Sequence, residues 1–298
     1  MGMNSTDEQR LSAVMSERRH LINLAYRLLG SLTEAEDAVQ ETYARWYAMS
    51  REQQDAVETP AAWLTTVAGR ICLDQLRSAR SRRESYVGEW IPEPLPGPAL
   101  GGDPADQVTL DESVSMAFLV VLESMTPAER VAFVLHDVFR YSFNEIAAIV
   151  GRTPAACRQL AYSARRRIDA SGAPAAPSSR EAGIVRDFKQ AWEAKDIGAL
   201  IGLLDTGAVA IGDGGGRAVT FPRSLEGAEA VARFWIEIAE HVGDLTTFHE
   251  STVNGCPGLV ARQDGAVVSV YAFEFSGESI KHIWAVRNPE KLRSWSAS

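Results

Sequence analysis

The chain has 298 residues, 46% hydrophobic and 23% charged, with a formal net charge of −9. These proportions suit a soluble globular protein with room for more than one core. No apolar run approaches the roughly eighteen residues needed to cross a bilayer, and MGMNSTDEQRLSAV lacks the pattern of a secretory signal, so a cytoplasmic location is expected. The cysteines, Cys72, Cys157 and Cys256, are odd in number and far apart, with no C-x-x-C. That spacing argues against a disulfide framework and against a zinc site. The first 180 residues hold 19 arginines and no lysine. Arginine's planar fork suits phosphates and guanine edges, but GC-rich codon usage would give the same bias, so clustering carries the information.

The first segment reads as helical. Leu21, Leu24, Ala25, Leu28 and Leu29 recur at helical spacing and Gly30 supplies a stop. SLTE follows as a capping box with Ser31 as N-cap and Glu34 three residues on. The next helix gathers Ala38, Val39, Thr42, Tyr43, Trp46 and Tyr47 on one side and Glu34, Asp37 and Glu41 on the other. Thr59-Pro60 opens a third, long helix that is expected to bury Trp63, Leu64, Val67 and Ile71 and then turns basic at Arg70, Arg77, Arg80, Arg82 and Arg83. Asp74 stands within one turn of both Arg70 and Arg77, where it can satisfy them locally.

Two Pro/Gly/Ala/Ser-rich stretches, Gly88–Gln107 and Ala170–Glu181, read as linkers. Five parts are expected: helical domain 1–87, linker 88–107, helical domain 108–169, linker 170–181 and an α+β domain 182–298. In the second helical part, Leu110–Leu122 has helical spacing, TPAE at Thr126–Glu129 and SFNE at Ser142–Glu145 are capping boxes, Gly151 is a stop, and Thr153-Pro154 opens the last helix. In the last part, helical patterns at Ile184–Leu204 and Ala228–Val242 precede runs expected as strands: Leu259–Arg262, Ala266–Phe275 and Ile280–Asn288, with turns at Asp264-Gly265 and Ser276-Gly277.

Phe143–Val150, a corner at Gly151–Thr153 and Pro154–Ile168 have the lengths of a DNA-binding helix-turn-helix. Ala147 is small where the helices cross; Ile146, Val150, Cys157, Leu160 and Ala164 fall on the packing faces, which makes Cys157 a core residue. Arg152, Arg158, Gln159, Tyr162, Arg165 and Arg166 are left facing outward. The N-terminal half of such a helix reaches base edges, so Arg158 and Gln159 are the candidate readers, with Arg165, Arg166 and Arg167 placed for phosphates. A solvated basic face on an ordinary helical hairpin is the competing reading.

NLAYRLLGSLTEAEDAVQETYARWY followed by TPAAWLTTVAGRICLDQLRSARSRR resembles regions 2.1 to 2.4 of an extracytoplasmic-function sigma factor, and the stretch from Met125 to Ile168 is similar to region 4. The resemblance covers residues 10–170. It implies that both helical modules bind the RNA polymerase core and read the two promoter elements. On that likeness Glu34, Asp37, Gln40 and Glu41 match the surface that docks on the β′ coiled coil, and Arg70, Arg77 and Arg80 match the region that faces the promoter near the start site. The loop Ser50–Thr59 corresponds to the place where the family captures a flipped base.

Residues 182–298 resemble a cone-shaped SnoaL-like (nuclear-transport-factor-2-like) domain, carried by sigma factors of the sigma-J type. The marks are WIPEPL (Trp90, Ile91, Pro92, Glu93, Pro94, Leu95), DGGG from Asp213, NGCPGL from Asn254, and NPEKL (Asn288, Pro289, Glu290, Lys291, Leu292). Ile91 stands where that group often has Leu. The resemblance implies that the tail contacts the linker and adjusts activity in place of a separate anti-sigma factor. Strand alternation would put Ile280, His282 and Trp284 on one face, and Tyr271, Phe273 and Phe275 on one face of another strand. That pattern leaves open a pocket for a small apolar ligand or a plain core lining. GDGGGR lacks the Lys-Ser/Thr of a phosphate loop, and Asp213 would serve as an acid or base only if buried beside the histidine. No cofactor, metal or catalytic residue is expected. A one-component regulator, with a ligand-sensing tail and an operator-binding helix-turn-helix, is the alternative; an enzyme with a helical appendage is a third class.

Overall fold

The structure, a computed structural model, describes residues 14–84, 86–97, 114–171, 179–220, 223–241 and 246–296. The chain forms two compact units, Met1–Arg82 with Val121–Ser171, and Arg83–Val120 with Gly172–Ser298. Residues 86–87, read as the end of the first helical domain, 88–97, read as linker, and 114–120, read as the start of the second helical domain, therefore pack within the second unit. Among the described residues no helix is long and apolar enough to cross a membrane.

In the first unit, local punctuation sets the helix ends. Helix α1 (Arg18–Leu29) ends at Gly30, whose φ of 72° turns the chain out of the helix. Helix α2 (Leu32–Tyr47) starts where the Ser31 hydroxyl accepts from the Glu34 N–H. A short helix α3 (Arg51–Asp55), capped by a Ser50/Gln53 box, occupies part of the stretch expected as the loop Ser50–Thr59. The long α4 runs Pro60–Glu84. It buries Leu64 and Ile71, whereas Trp63 and Val67 are half-buried rather than sealed. Trp63 meets Trp46 edge-on at 5.1 Å.

Helix α5 (Met116–Glu123) carries the expected pattern from Met116 on; residues 110–113 lie outside the described residues. Helix α6 (Pro127–Phe133) begins with a full Thr126/Glu129 box and continues into one π-helical turn, Val134–Val138. Helix α7 (Phe143–Val150) begins with a full Ser142/Glu145 box and is followed by α8 (Pro154–Ser171). Each N-cap is worth about 1 kcal/mol, and together they set this module's helix boundaries.

The second unit is α+β. Helices α9 (Ser179–Glu193), α10 (Ile197–Leu203) and α11 (Ala228–His241) cover one face of a six-stranded sheet. Its strands are β1 (Leu204–Asp213), β2 (Leu225–Glu226), β3 (Thr246–Val253), β4 (Cys256–Gln263), β5 (Ala266–Ser276) and β6 (Ser279–Val286), in the order β2-β1-β6-β5-β4-β3. Among the described residues only β1 and β6 run parallel. Under the helices, Phe188, Trp192, Trp235, Tyr271 and Phe273 are all buried in one aromatic core, and the Trp192 indole N–H donates to the Trp235 carbonyl at 2.9 Å.

The expected grouping of Ile280, His282 and Trp284 on one face does not hold. A register shift in the β5/β6 ladder intervenes, so Phe275 pairs with Ile280 and Glu274 with His282. Ile280 then joins the aromatic core, while Trp284 joins a second cluster with Val270, Val286 and Ile91. A bulge reverses the facing of the residues beyond it.

Candidate functional site

The helix-turn-helix is built from its corner outward. The Gly151 N–H closes on the Ala147 carbonyl at 3.0 Å with φ at 70°, and the Thr153 hydroxyl accepts from the Ala156 N–H at 3.2 Å. Burying Cys157, Ala161 and Ala164 against the module fixes the rotation of α8. That rotation leaves Arg152, Arg158, Gln159, Arg165 and Arg166 exposed, as the spacing implied, with Tyr162 among them. Two of these arginines are oriented by neighbours. The Arg158 guanidinium lies 5.2 Å from the Phe143 ring centroid, and Arg165 donates to Asp137 Oδ1 at 3.0 and 2.5 Å.

On α2, Asp37, Gln40 and Glu41 are exposed and Glu34 is half-buried, giving an acidic strip on the side away from Ala38 and Val39. Glu41 pairs with Arg45 at 2.5 Å. On α4 the candidates diverge. Arg77 pairs with Asp74 at 3.2 Å. Arg70 instead donates to the Ala148 carbonyl of α7, at 2.8 Å from Nη2 and 3.3 Å from Nε. Arg80 lies on α4, and its side chain is outside the described residues.

The motifs of the second unit converge on one buried point. Asp213, fully buried at the end of β1, accepts from the Tyr86 hydroxyl at 2.6 Å, the Ile91 N–H at 3.0 Å, the Gly215 N–H at 3.0 Å and the Lys291 ammonium at 2.6 Å. Lys291 also donates to the Ile91 carbonyl and stands 4.0 Å from the Trp90 ring centroid. Asn288 donates through Nδ2 to the Tyr86 oxygen at 2.9 Å, and its Oδ1 accepts from the Glu290 N–H at 3.0 Å. Burial, together with the Asp213 carboxylate, pushes the Tyr86 phenol pKa well above the ordinary value. Asp213 is thus buried as an acid or base would need to be, but beside a tyrosine and a lysine rather than a histidine. His282 lies elsewhere on the sheet, its Nδ1 2.6 Å from Glu274 Oε2.

From that point the strap runs along the sheet. Ile91, Pro92, Glu93, Pro94 and Leu95 are all buried, and Ile91 and Leu292 belong to the same apolar cluster. The Trp295 indole donates to the Pro94 carbonyl at 2.8 Å. Leu95 and Asn254 exchange two hydrogen bonds, at 2.9 and 3.1 Å, and the Gly97 N–H donates to the Thr252 carbonyl at 2.9 Å. Pro289 and Glu290 are exposed, and Glu290 pairs with Arg217 of the GDGGGR loop at 2.9 Å. Tyr86 and Trp295 complete the clasp and went unread in the sequence: neither carries a local signal, since each finds its partners more than a hundred residues away.

Residues 13–82 match the family model Sigma-70 region 2, and residues 115–168 match Sigma-70, region 4. The chain is 40% identical to the ECF RNA polymerase sigma factor SigJ of Mycobacterium tuberculosis over 231 residues, 76% of this chain and 72% of that protein. It is 32% identical to the probable ECF RNA polymerase sigma factor SigI of the same organism over 284 residues, 94% of each chain. The crystal structure of the M. tuberculosis extracytoplasmic function sigma factor SigJ matches with a TM-score of 0.76 at 32% identity, covering 95% of this chain and 98% of that one.

Proposed function

This chain belongs to the extracytoplasmic-function RNA polymerase sigma factors and serves promoter-directed transcription initiation, and from that premise we propose the roles of its surfaces. The acidic strip Glu34, Asp37, Gln40 and Glu41 carries the contact with the polymerase core. Arg158 and Gln159 read base edges of one promoter element, and Arg152, Arg165 and Arg166 hold its phosphates. Arg70, Arg77 and Arg80 address the second element. The SnoaL-like domain modulates activity through the strap Trp90–Leu95 and its anchors Asp213 and Asn288–Leu292, standing in for a separate anti-sigma partner.

The observation that carries this reading is the division of charge in the first unit. One helix exposes carboxylates, while another exposes guanidinium groups on a helix-turn-helix that buries Ile146, Ile149, Val150, Cys157, Ala161 and Ala164 on its other side. Folding asks for neither face. The division also explains why an acidic chain keeps a basic helix: the polymerase supplies much of the hold on DNA, so the sigma chain needs local rather than overall positive charge.

The test is association with core polymerase followed by run-off transcription from a promoter library. Asp37→Lys with Glu41→Lys should abolish association while leaving helical content unchanged. Failure of the unmodified chain to associate would overturn the assignment; operator binding without core would favour the one-component regulator.

A further inference from the structure

An arginine that reads a base gains by arriving with its planar fork already aimed, because fixing a free one costs rotamer entropy at the moment of binding. Arg158 stands exposed one turn into α8. It is held by a stack of side chains drawn from three elements. The Arg158 guanidinium carbon lies 5.2 Å from the ring centroid of Phe143, the first residue of α7. Against Phe143 the His136 ring stacks at 3.9 Å between centroids and 29° between planes. That spacing admits nothing between the two rings, so the guanidinium takes the other face of Phe143.

The foot of the stack is fixed by the backbone. His136 belongs to the π-helical turn Val134–Val138, a kind of turn that often marks functional positions. Beyond it Arg140 has a φ of 63°, and this left-handed residue folds the chain back until the Tyr141 N–H donates to the Leu135 carbonyl at 2.9 Å. The Tyr141 carbonyl then lies 2.9 Å from His136 Nδ1. A carbonyl only accepts, so Nδ1 donates and the imidazole is pinned against Phe143.

We infer that Phe143 is a positioning residue for promoter recognition: its ring, backed by His136, presents Arg158 to the base edge that it reads. The inference rests on the sigma-factor reading above. An aromatic holder suits the task chemically. A ring face attracts a guanidinium through its quadrupole and takes up none of the five N–H donors, so the fork stays whole for a guanine edge. Arg165, on the same helix, spends Nε and Nη2 on one oxygen of Asp137. A carboxylate partner competes with DNA for those donors, whereas a ring does not. The two ways of holding an arginine thus separate reading from backbone contact.

The experiment is binding-site selection on a promoter library by the full-length chain with core polymerase. Phe143→Leu keeps an apolar side chain but removes the ring face. It should weaken the preference at the base pair read by Arg158 about two- to fivefold, the worth of an exposed cation–π contact. The salt slope should stay unchanged, since no phosphate contact is lost. Phe143→Tyr should restore the preference, and in an Arg158→Ala background Phe143→Leu should change nothing further at that base pair. No effect of Phe143→Leu, an even loss across all sequences, or an equal loss with and without Arg158 would overturn the proposal. Should Phe143→Leu fail to fold, increasingly fluorinated phenylalanines at position 143 keep the ring's shape while draining negative charge from its face. Preference should then fall stepwise, and indifference to fluorination would equally overturn the proposal. Absence of any sequence preference from the unmodified holoenzyme would instead sink the sigma-factor reading.

Discussion

The Lys291 ammonium lies 2.6 Å from Asp213 Oδ2, and both side chains are buried against the strap. The pair joins the end of β1 to the segment after β6 and holds the Ile91 N–H and carbonyl between them. Removing one partner of a buried, hydrogen-bonded pair costs about 3–5 kcal/mol because the other is left uncompensated. Lys291→Met should therefore lower the denaturant midpoint of the C-terminal unit strongly. Tyr86→Phe, which loses one hydroxyl, should cost about 1 kcal/mol. Equal effects in equilibrium unfolding would show that Lys291 is not the keystone of the clasp.

Gly97 admits no side chain. An added Cβ would lie 2.5 Å from Cβ of Thr252, nearer than two carbons approach. Gly97→Ala should detach the end of the strap, seen as faster amide exchange over residues 94–97 while β4 and β5 stay protected. Because the obstacle is a Cβ, Thr252→Gly should restore protection to the double variant and Thr252→Ala should not.

The three thiols should behave as core groups. Burial, reinforced by the charge of Glu34, pushes Cys72 up to about 12; burial and Glu181 push Cys256 up to about 11; and burial raises Cys157. A raised pKa means less thiolate at any pH below it, and thiolate is the reactive form. Alkylation of the native protein at pH 8 should be far slower than that of a free cysteine, then accelerate in denaturant. Rapid native labelling at any of the three would contradict the packing.

The basic helix should separate reading from holding. Arg158→Ala should relax preference at one base pair by about 1–3 kcal/mol in a binding-site selection with holoenzyme. Arg166→Ala should weaken binding evenly across sequences and reduce the salt slope by about 1. A uniform loss from Arg158→Ala would reassign it to the phosphates.

What could be read in advance was what acts over a few residues. Ser31, Thr126, Ser142 and Thr153 bond to N–H groups three residues on, and Gly30 and Gly151 need only their own positive φ. The helix starts and stops of the helical half are therefore legible apart from α3, the π-helical turn Val134–Val138 and the start of α5. The tail was harder. Strand β1 went unseen because Gly207 interrupts its alternation and its parallel partner β6 begins more than sixty residues later. The β3/β4 hairpin did leave a signal: Asn254 and Gly255 have φ of 51° and 75°, the backbone of a tight Asn-Gly turn. The Cys256-Pro257-Gly258 that follows hid it, since strands disfavour proline and glycine.

The chain by itself determined most helix boundaries, the outward basic face of α8 and the acidic strip on α2, since each follows from spacing along the backbone, whereas the motifs Trp90–Leu95, Asp213 and Asn288–Leu292 were legible only through the resemblance to sigma-J-type factors. Tertiary structure alone decided where those groups spend their hydrogen bonds. Arg70 could be placed on the basic stretch of α4 from its position, but the open carbonyl of Ala148 exists only after two modules meet. His282 could be placed on a strand, but one bulge sent it away from the aromatic core. Side-chain direction within an element is local geometry, whereas the choice of partner depends on which unsatisfied group folding brings within about 3 Å.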